Sequence, residues 1–260
     1  MRIELTLENP RRETGVPLNY NHLLAACVYQ TLATSSTDYS EHLHQEGYLF
    51  QGKHFKLFTF SQLLAEPRSI AGDRLIIQSP VVRWLVSSPV DEFVVHFANG
   101  ILERGVVRIG SIDFPVREAR ALPTPELTSS QRFTCLSPIT VSTHIDADGL
   151  NPLQYCRLED NFYEKVIENL RRKYTLLTGK EASQLNLMMA FDPTYIAKRN
   201  GRIHKIIRYK DTKIFGYLAP FTVEGDVELI RAGYECGFGD GNSKGLGMVE
   251  VDRLVSQLGG

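Results

Sequence analysis

The chain has 260 residues, 43% of them hydrophobic and 23% charged, which is enough to bury one large core or two smaller ones and excludes disordered and fibrous classes. Its formal net charge of -1 gives no global sign of a polyanionic partner, so any nucleic-acid role must rest on local charge. No stretch reaches the length of a membrane span, residues 1–8 lack the apolar run of a signal peptide, and Cys27, Cys135, Cys156 and Cys236 form no C-x-x-C pair, a pattern that predicts a cytoplasmic protein with reduced, buried thiols.

In chain order, residues 2–8 read as a strand with Ile3, Leu5 and Leu7 on one face. The next segment predicts a helix whose apolar stripe is Leu24, Cys27, Val28, Thr31 and Leu32, with His22, Ala26, Tyr29 and Ala33 alongside it at helical spacing. The polar-tipped rings of His22 and Tyr29 thus border the buried face, where they can look into a groove. A short second helix is expected from Asp38, where Asp38-Tyr39-Ser40-Glu41 resembles a capping box. Tyr39 and Leu43 would point inward, which puts His42 and His44 on opposite flanks; only one of them can face a given cleft.

Residues 55–60 and 74–78 read as strands. Ser88-Pro89-Val90-Asp91 predicts a helix start with Ser88 as cap and Pro89 at the first helical position. Val90, Val94, Phe97, Ala98 and Ile101 follow at core-face spacing. With a strand or hairpin over 106–114, the order is β-α-β-β-α-β, the split unit of a ferredoxin-like domain.

Residues 121–130 are a linker by their proline and serine content, and the pattern then repeats. Residues 132–145 are strand-like, and 160–174 form a helix with Phe162, Val166, Ile167, Leu170 and Tyr174 inward and Glu168 placed to pair Arg171 or Arg172. Strand-like 185–191, 203–209 and 213–221 follow. Asp226 opens a last helix, Gly237 terminates it, and 248–251 is a closing strand. The expectation is an α+β protein of two tandem ferredoxin-like (RRM-like) domains, 1–120 and 131–254.

Two stretches carry chemistry. Between Lys198 and Lys213, seven basic residues (Lys198, Arg199, Arg202, Lys205, Arg208, Lys210 and Lys213) stand against one acid, Asp211, with His204 and Tyr209 interleaved and Tyr195 just before them. Such a track along a strand pair matches phosphates, and the tyrosines can stack on unpaired bases; a solvated hairpin is the plainer alternative. The second stretch runs from Gly237 to Gly247 and holds five glycines in eleven residues. A Walker loop needs Gly-Lys-Ser/Thr, and here the order is Ser243-Lys244-Gly245; a dinucleotide fingerprint needs a glycine where Asn242 or Lys244 stands. Both motifs also run from strand to helix, whereas this loop runs from helix to strand, so nucleotide binding is disfavoured.

Gly237-x-Gly239, five residues, then Gly245-x-Gly247 joins four other segments: PLNYNH at 17–22, KLFTFS at 56–61, CLSPI at 135–139 and AGYECGFG at 232–239. Together they resemble the CRISPR-associated repeat-processing endoribonucleases of the sixth Cas family, in the RAMP superfamily. The resemblance implies a ribonuclease without metal or cofactor that cuts CRISPR repeat RNA in the precursor transcript. The ribose 2'-OH attacks the adjacent phosphate, leaving 2',3'-cyclic phosphate and 5'-OH ends. On matching positions it implies Tyr29, His44 and Lys56 as the catalytic set, with His42 as rival to His44. RNA contacts are expected at His22, at Lys198, Arg199, Arg202, Lys205, Arg208 and Lys210, and at Gly237, Gly239, Ser243, Lys244, Gly245 and Gly247. Expected partners are precursor and mature guide RNA and a CRISPR effector complex, with the protein a monomer or homodimer and no membrane role. The alternative is a non-catalytic RAMP-type RNA-binding subunit.

Overall fold

The computed structural model describes residues 1–144 and 153–252. Ile145, the end of one expected strand, and residues 253–254 of the second expected domain lie outside them. The chain divides into two compact units: Met1–Thr124 with Tyr209–Asp211 and Ser243–Gly245, and Pro125–Arg208 with Thr212–Asn242 and the residues from Leu246 on. No helix among the described residues is long and apolar enough to cross a membrane.

The first unit is built from β1 (Arg2–Glu8), α1 (Asn21–Ser35), α2 (Thr37–Gln45), β2 (Thr59–Phe60), β3 (Val81–Ser87), α3 (Asp91–Arg104), β4 (Val106–Ile109) and β5 (Ile112–Leu122). Its main sheet runs β2-β3-β1-β5-β4, which is the ferredoxin-like order with β4 added at the edge. Ile3, Leu5 and Leu7 of β1 stand opposite Val86, Trp84 and Val82 of β3. This period-2 set is buried with Leu24, Val28 and Leu32 of α1 and Phe93, Phe97 and Ile101 of α3. On the other face Glu4, almost fully buried, is held by Arg83 and by Arg120 at 2.7 Å. Burial pushes its carboxyl pKa up, but the two guanidinium groups outweigh that and leave it below the ordinary value.

Two strand expectations change here. Arg74–Ile77 belongs to a separate three-stranded sheet with Thr14–Pro17 and Arg68–Ala71; the ferredoxin position is taken by β3. The α3 start also moves: Val90 is the cap residue with no side-chain bond, while the Ser88 hydroxyl donates to Leu57 O and accepts from Val90 N. Finally, β5 continues through Ala121 and Leu122 of the expected linker.

The second unit contains β6 (Ser130–Cys135), α4 (Phe162–Thr178), β7 (Leu187–Phe191), α5 (Pro193–Lys198), β8 (His204–Tyr209), β9 (Thr212–Tyr217), β10 (Phe221–Gly225), α6 (Val227–Cys236) and β11 (Val249–Val251). Its sheet order, β7-β10-β6-β11, repeats the ferredoxin-like order of the first unit. Phe133 of β6 faces Phe221 and Val251 in a core with Phe162, Leu170, Tyr234 and Phe238. The buried face of α4 is Phe162, Val166, Asn169, Leu170 and Lys173; Ile167 and Tyr174, expected inward, are half-buried. Glu168 pairs with Arg172. The strand expected over 213–221 is two: β9 closes a hairpin with β8, and Phe221 opens β10.

Candidate functional site

In the first unit α2 starts at a serine cap, because the Ser36 hydroxyl accepts from Tyr39 N at 3.3 Å. The cap expected at Asp38 therefore moves two residues back, and Asp38 sits in the first turn, where a carboxylate favours the helix dipole. Tyr39, Ser40 and Leu43 are the buried face, and Ser40 Oγ donates to Tyr29 O at 2.8 Å, tying α2 to α1.

That register sends the two histidines in different directions. The His44 ring lies edge-on to Tyr29, with centroids 4.8 Å apart at 89°. His42 projects from the other flank toward Glu46, at 3.5 Å. Lys56 completes the group by donating to His44 O at 2.9 Å. Lys56 is outside any strand, contrary to the sequence reading of 55–60 as one element: Lys53–Phe55 pairs with Tyr48–Phe50, and β2 begins only at Thr59. Gly47 makes the approach possible. At φ +63° it lies where an added Cβ would fall 2.5 Å from Phe55 O and 2.8 Å from the Lys56 chain.

Tyr29 packs edge-on against Phe58 at 5.7 Å and hydrogen-bonds the Ser243 side chain. Burial raises its phenol pKa, the neighbouring Tyr209 adds to the rise, and the Ser243 bond opposes it. Tyr29 therefore holds its proton at neutral pH. Partial burial lowers the Lys56 pKa, and Glu46 opposes that shift.

The same unit gathers a second group. Lys244 Nζ sits 5.5 Å from the Tyr209 ring centroid, a cation–π distance, and His22 meets that ring edge-on at 6.3 Å. Asn21 Nδ2 donates to the carbonyls of Lys244 and Gly245 at 3.0 and 3.2 Å. Asn21 escaped the sequence reading, although a signal existed: it stands three and seven residues before Leu24 and Val28, a polar residue on the core stripe.

The glycines behave differently from the loop-tip side chains. Gly237, Gly239, Gly245 and Gly247 are buried. A Cβ on Gly239 would fall 2.2 Å from Thr140 O, on Gly245 2.2 Å from the Phe60 ring, and on Gly247 2.0 Å from Phe238 O. These spaces are filled by the chain itself, so close backbone packing is what demands glycine here. Ser243 and Lys244 are partly exposed.

The basic residues of 198–213 are all exposed but do not form one strand-borne track. Lys198 ends α5, Arg199 is its C-cap with the guanidinium 5.4 Å from the Tyr195 ring centroid, and Arg202 lies in the following loop. Lys205 and Arg208 are on β8, three positions apart and therefore on opposite faces. Lys210 is in the hairpin turn at φ +53°. Among the described residues, no group of three or more His, Cys, Asp or Glu is arranged to hold a metal ion.

Two family models match successive parts of the chain: CRISPR-associated protein Cas6, N-terminal, over residues 15–120, and CRISPR associated protein Cas6, C-terminal, over 122–251. The chain belongs to the Cas6 family. It is 32% identical over 250 residues to "CRISPR-associated endoribonuclease Cas6 1" of Methanocaldococcus jannaschii, covering 96% of this chain and 92% of that one. It is 28% identical to "CRISPR-associated endoribonuclease Cas6" of Pyrococcus furiosus, covering 96% and 89%. A solved structure titled "CRISPR associated protein Cas6" superposes with TM-score 0.74 at 31% identity, covering 97% of this chain and 99% of that one. A Cas6-related protein from Pyrococcus furiosus, at 23% identity and TM-score 0.82 over 98% and 99%, shares the fold.

Proposed function

We propose that this Cas6-family protein is an endoribonuclease that cuts CRISPR repeat RNA within a precursor transcript, releasing guide RNAs with 2',3'-cyclic phosphate and 5'-OH ends. The observation that carries the reading is the convergence of Tyr29, His44 and Lys56 in one unit, with the two rings 4.8 Å apart and Lys56 Nζ 2.9 Å from His44 O. The naming of the Methanocaldococcus and Pyrococcus relatives as endoribonucleases supports it.

Cyclising transfer needs a proton taken from the 2'-OH, a proton given to the leaving 5' oxygen, and stabilisation of charge on the phosphorane. His44 is exposed, and an imidazole can both accept and donate a proton, so it takes the proton from the 2'-OH and returns it, as imidazolium, to the leaving 5' oxygen. Tyr29, which keeps its proton, donates a hydrogen bond to the reacting phosphate or the leaving oxygen. Lys56 supplies positive charge beside them. In this scheme a side chain performs each step and no metal is required. Ser243 and Lys244, with Tyr209 and His22 beside them, bind the RNA backbone and bases next to the reacting phosphate. The exposed basic residues Lys198, Arg199, Arg202, Lys205, Arg208 and Lys210 engage further phosphates.

The test is incubation of the purified protein with the repeat RNA encoded beside its gene, in excess EDTA, with the product ends determined. One cut with cyclic phosphate ends is expected. Cleavage seen only after Mg²⁺ is restored would remove the mechanism, and tight binding without any cut would favour a non-catalytic RNA-binding subunit.

A further inference from the structure

The side chain that organises the glycine-rich loop comes from α4. Lys173 is 2% exposed, and its ammonium donates to Gly237 O at 2.7 Å, Gly239 O at 2.8 Å and Asn242 Oδ1 at 2.7 Å. All three donors of the group are thereby used, on a segment that starts 64 residues further along the chain. Among the described residues, no carboxylate is hydrogen-bonded to this cation. Asp240 faces it only at longer range, and is itself engaged by Asn169 Nδ2 at 2.7 Å and Ser142 N at 2.9 Å. The Cys236 thiol is the other titratable group against it. A buried cation held by three neutral oxygens is costly, and a methionine or leucine would fill the same helix position without that cost.

The rest of the loop is closed just as tightly. Phe238 N donates to Gly247 O at 2.8 Å, Asp240 N to Thr140 O at 2.7 Å and Gly247 N to Pro138 O at 2.8 Å. The Asn242 amide, accepting from Lys173, donates to Leu246 O at 2.9 Å. The residues that follow Asn242 are Ser243 and Lys244.

We infer that Lys173 is a positioning residue for RNA recognition: by gripping the carbonyls of Gly237 and Gly239 and the Asn242 amide, it holds the loop in the one shape that presents Ser243 and Lys244 to RNA. This rests on the reading of the protein as an RNA-binding nuclease. Lys173 itself touches no RNA, since it is sealed under the loop it grips.

The experiment measures binding of repeat RNA made uncleavable by a 2'-deoxy nucleotide at the cut site, across a salt series, for wild type, Lys173→Met, Lys173→Arg and Lys244→Ala. Lys173→Met should weaken binding roughly 10- to 100-fold, the loss of hydrogen bonds to a charged group. The slope of log K against log salt should stay at the wild-type value. Lys173→Arg, which keeps the charge and donors, should recover most of the affinity. Lys244→Ala should instead flatten the slope by about 0.7, one phosphate contact to a single strand. A flattened slope in Lys173→Met would make Lys173 a phosphate contact and overturn the inference, as would unchanged affinity in a folded Lys173→Met protein. If that variant does not fold, hydrogen exchange of the free wild-type protein decides. The amides of Phe238, Asp240 and Gly247 should be as protected as those of β6 and β10, and exchange at open-loop rates overturns the proposal. Failure of wild type to bind RNA at any salt would remove the functional reading itself, a result visible before any variant is compared.

Discussion

At the scale of single residues, the distinction between His42 and His44 is a matter of one helical register. Leu43 is fully buried, so its two neighbours diverge, and the ring that meets Tyr29 is His44. His44→Ala should lower the single-turnover cleavage rate by about 10² to 10⁴, the range of a general acid or base, with RNA affinity little changed. His42→Ala should stay within about threefold, because an exposed i,i+4 contact contributes little. The reverse ranking would move the chemistry to the other face of α2. Tyr29→Phe tests the protonated phenol. The rate should fall about tenfold or more, while the shape of the pH profile between about pH 6 and 9 is unaltered; a profile that lost its acidic limb would identify Tyr29 as the base. The position of Tyr29 at the edge of the buried face of α1 and the divergence of His42 and His44 were legible from helical spacing, whereas the grouping of His44 and Lys56 with Tyr29 was offered only by the motif resemblance. Ser243 was legible only as a loop-tip donor, since nothing in its local sequence announces a bond to a tyrosine more than two hundred residues earlier.

At the scale of elements, what the sequence revealed depended on whether local pattern or a distant partner decides the structure. The α1 stripe of Leu24, Cys27, Val28, Thr31 and Leu32 is buried as read, because amphipathic periodicity is a local property. Residues 74–78 are apolar at their centre like a sheet strand, and Arg74–Ile77 does form one, but it pairs with Thr14–Pro17. Meanwhile β3, apolar on both faces at its end, lies beside β1, a choice made by long-range pairing. Nothing in the local sequence marks Lys173 for the same reason, its partners being far along the chain. Gly100 in α3 shows the reverse: its type looks like a helix weakness and is required by packing. An added Cβ would lie 1.9 Å from Thr31 O of α1, so Gly100→Ala forces α1 and α3 apart. The gain in helix propensity of about 1 kcal/mol should offset only part of an overpacking cost of about 1–3 kcal/mol, giving a net loss of up to about 2 kcal/mol, read from urea unfolding followed by Trp84 fluorescence. A stabilised variant would mean that the helices can separate at little cost.

At the scale of the whole molecule, the two units carry opposite pH liabilities. In the first, Glu4 has a lowered pKa, so its contribution is present above the ordinary glutamate value of about 4.3 and is lost as pH falls through the folded value. The second unit holds three of the four cysteines. Burial raises the Cys156 pKa and pushes Cys135 and Cys236 up to about 12. An unfolded thiol ionises near 8.5, so above that pH the unfolded state releases protons that the folded state keeps, and stability falls as pH rises. Lys173 works in the other direction. Burial lowers its pKa to about 8, so between roughly pH 8 and the ordinary lysine value near 10.4 the unfolded state binds the extra proton and stability rises. Three thiols against one lysine leave a net alkaline loss, concentrated in the second unit, since the first holds only Cys27. Urea midpoints between about pH 7.5 and 9.5, in reductant, should therefore fall further by far-UV circular dichroism, which sees both units, than by fluorescence of the single Trp84 in the first. Lys173→Met removes the opposing contribution, so its circular-dichroism midpoint should fall more steeply with pH than that of wild type. Parallel shifts of both probes, or equal slopes in wild type and variant, would show that the buried thiols and Lys173 do not govern the alkaline limb.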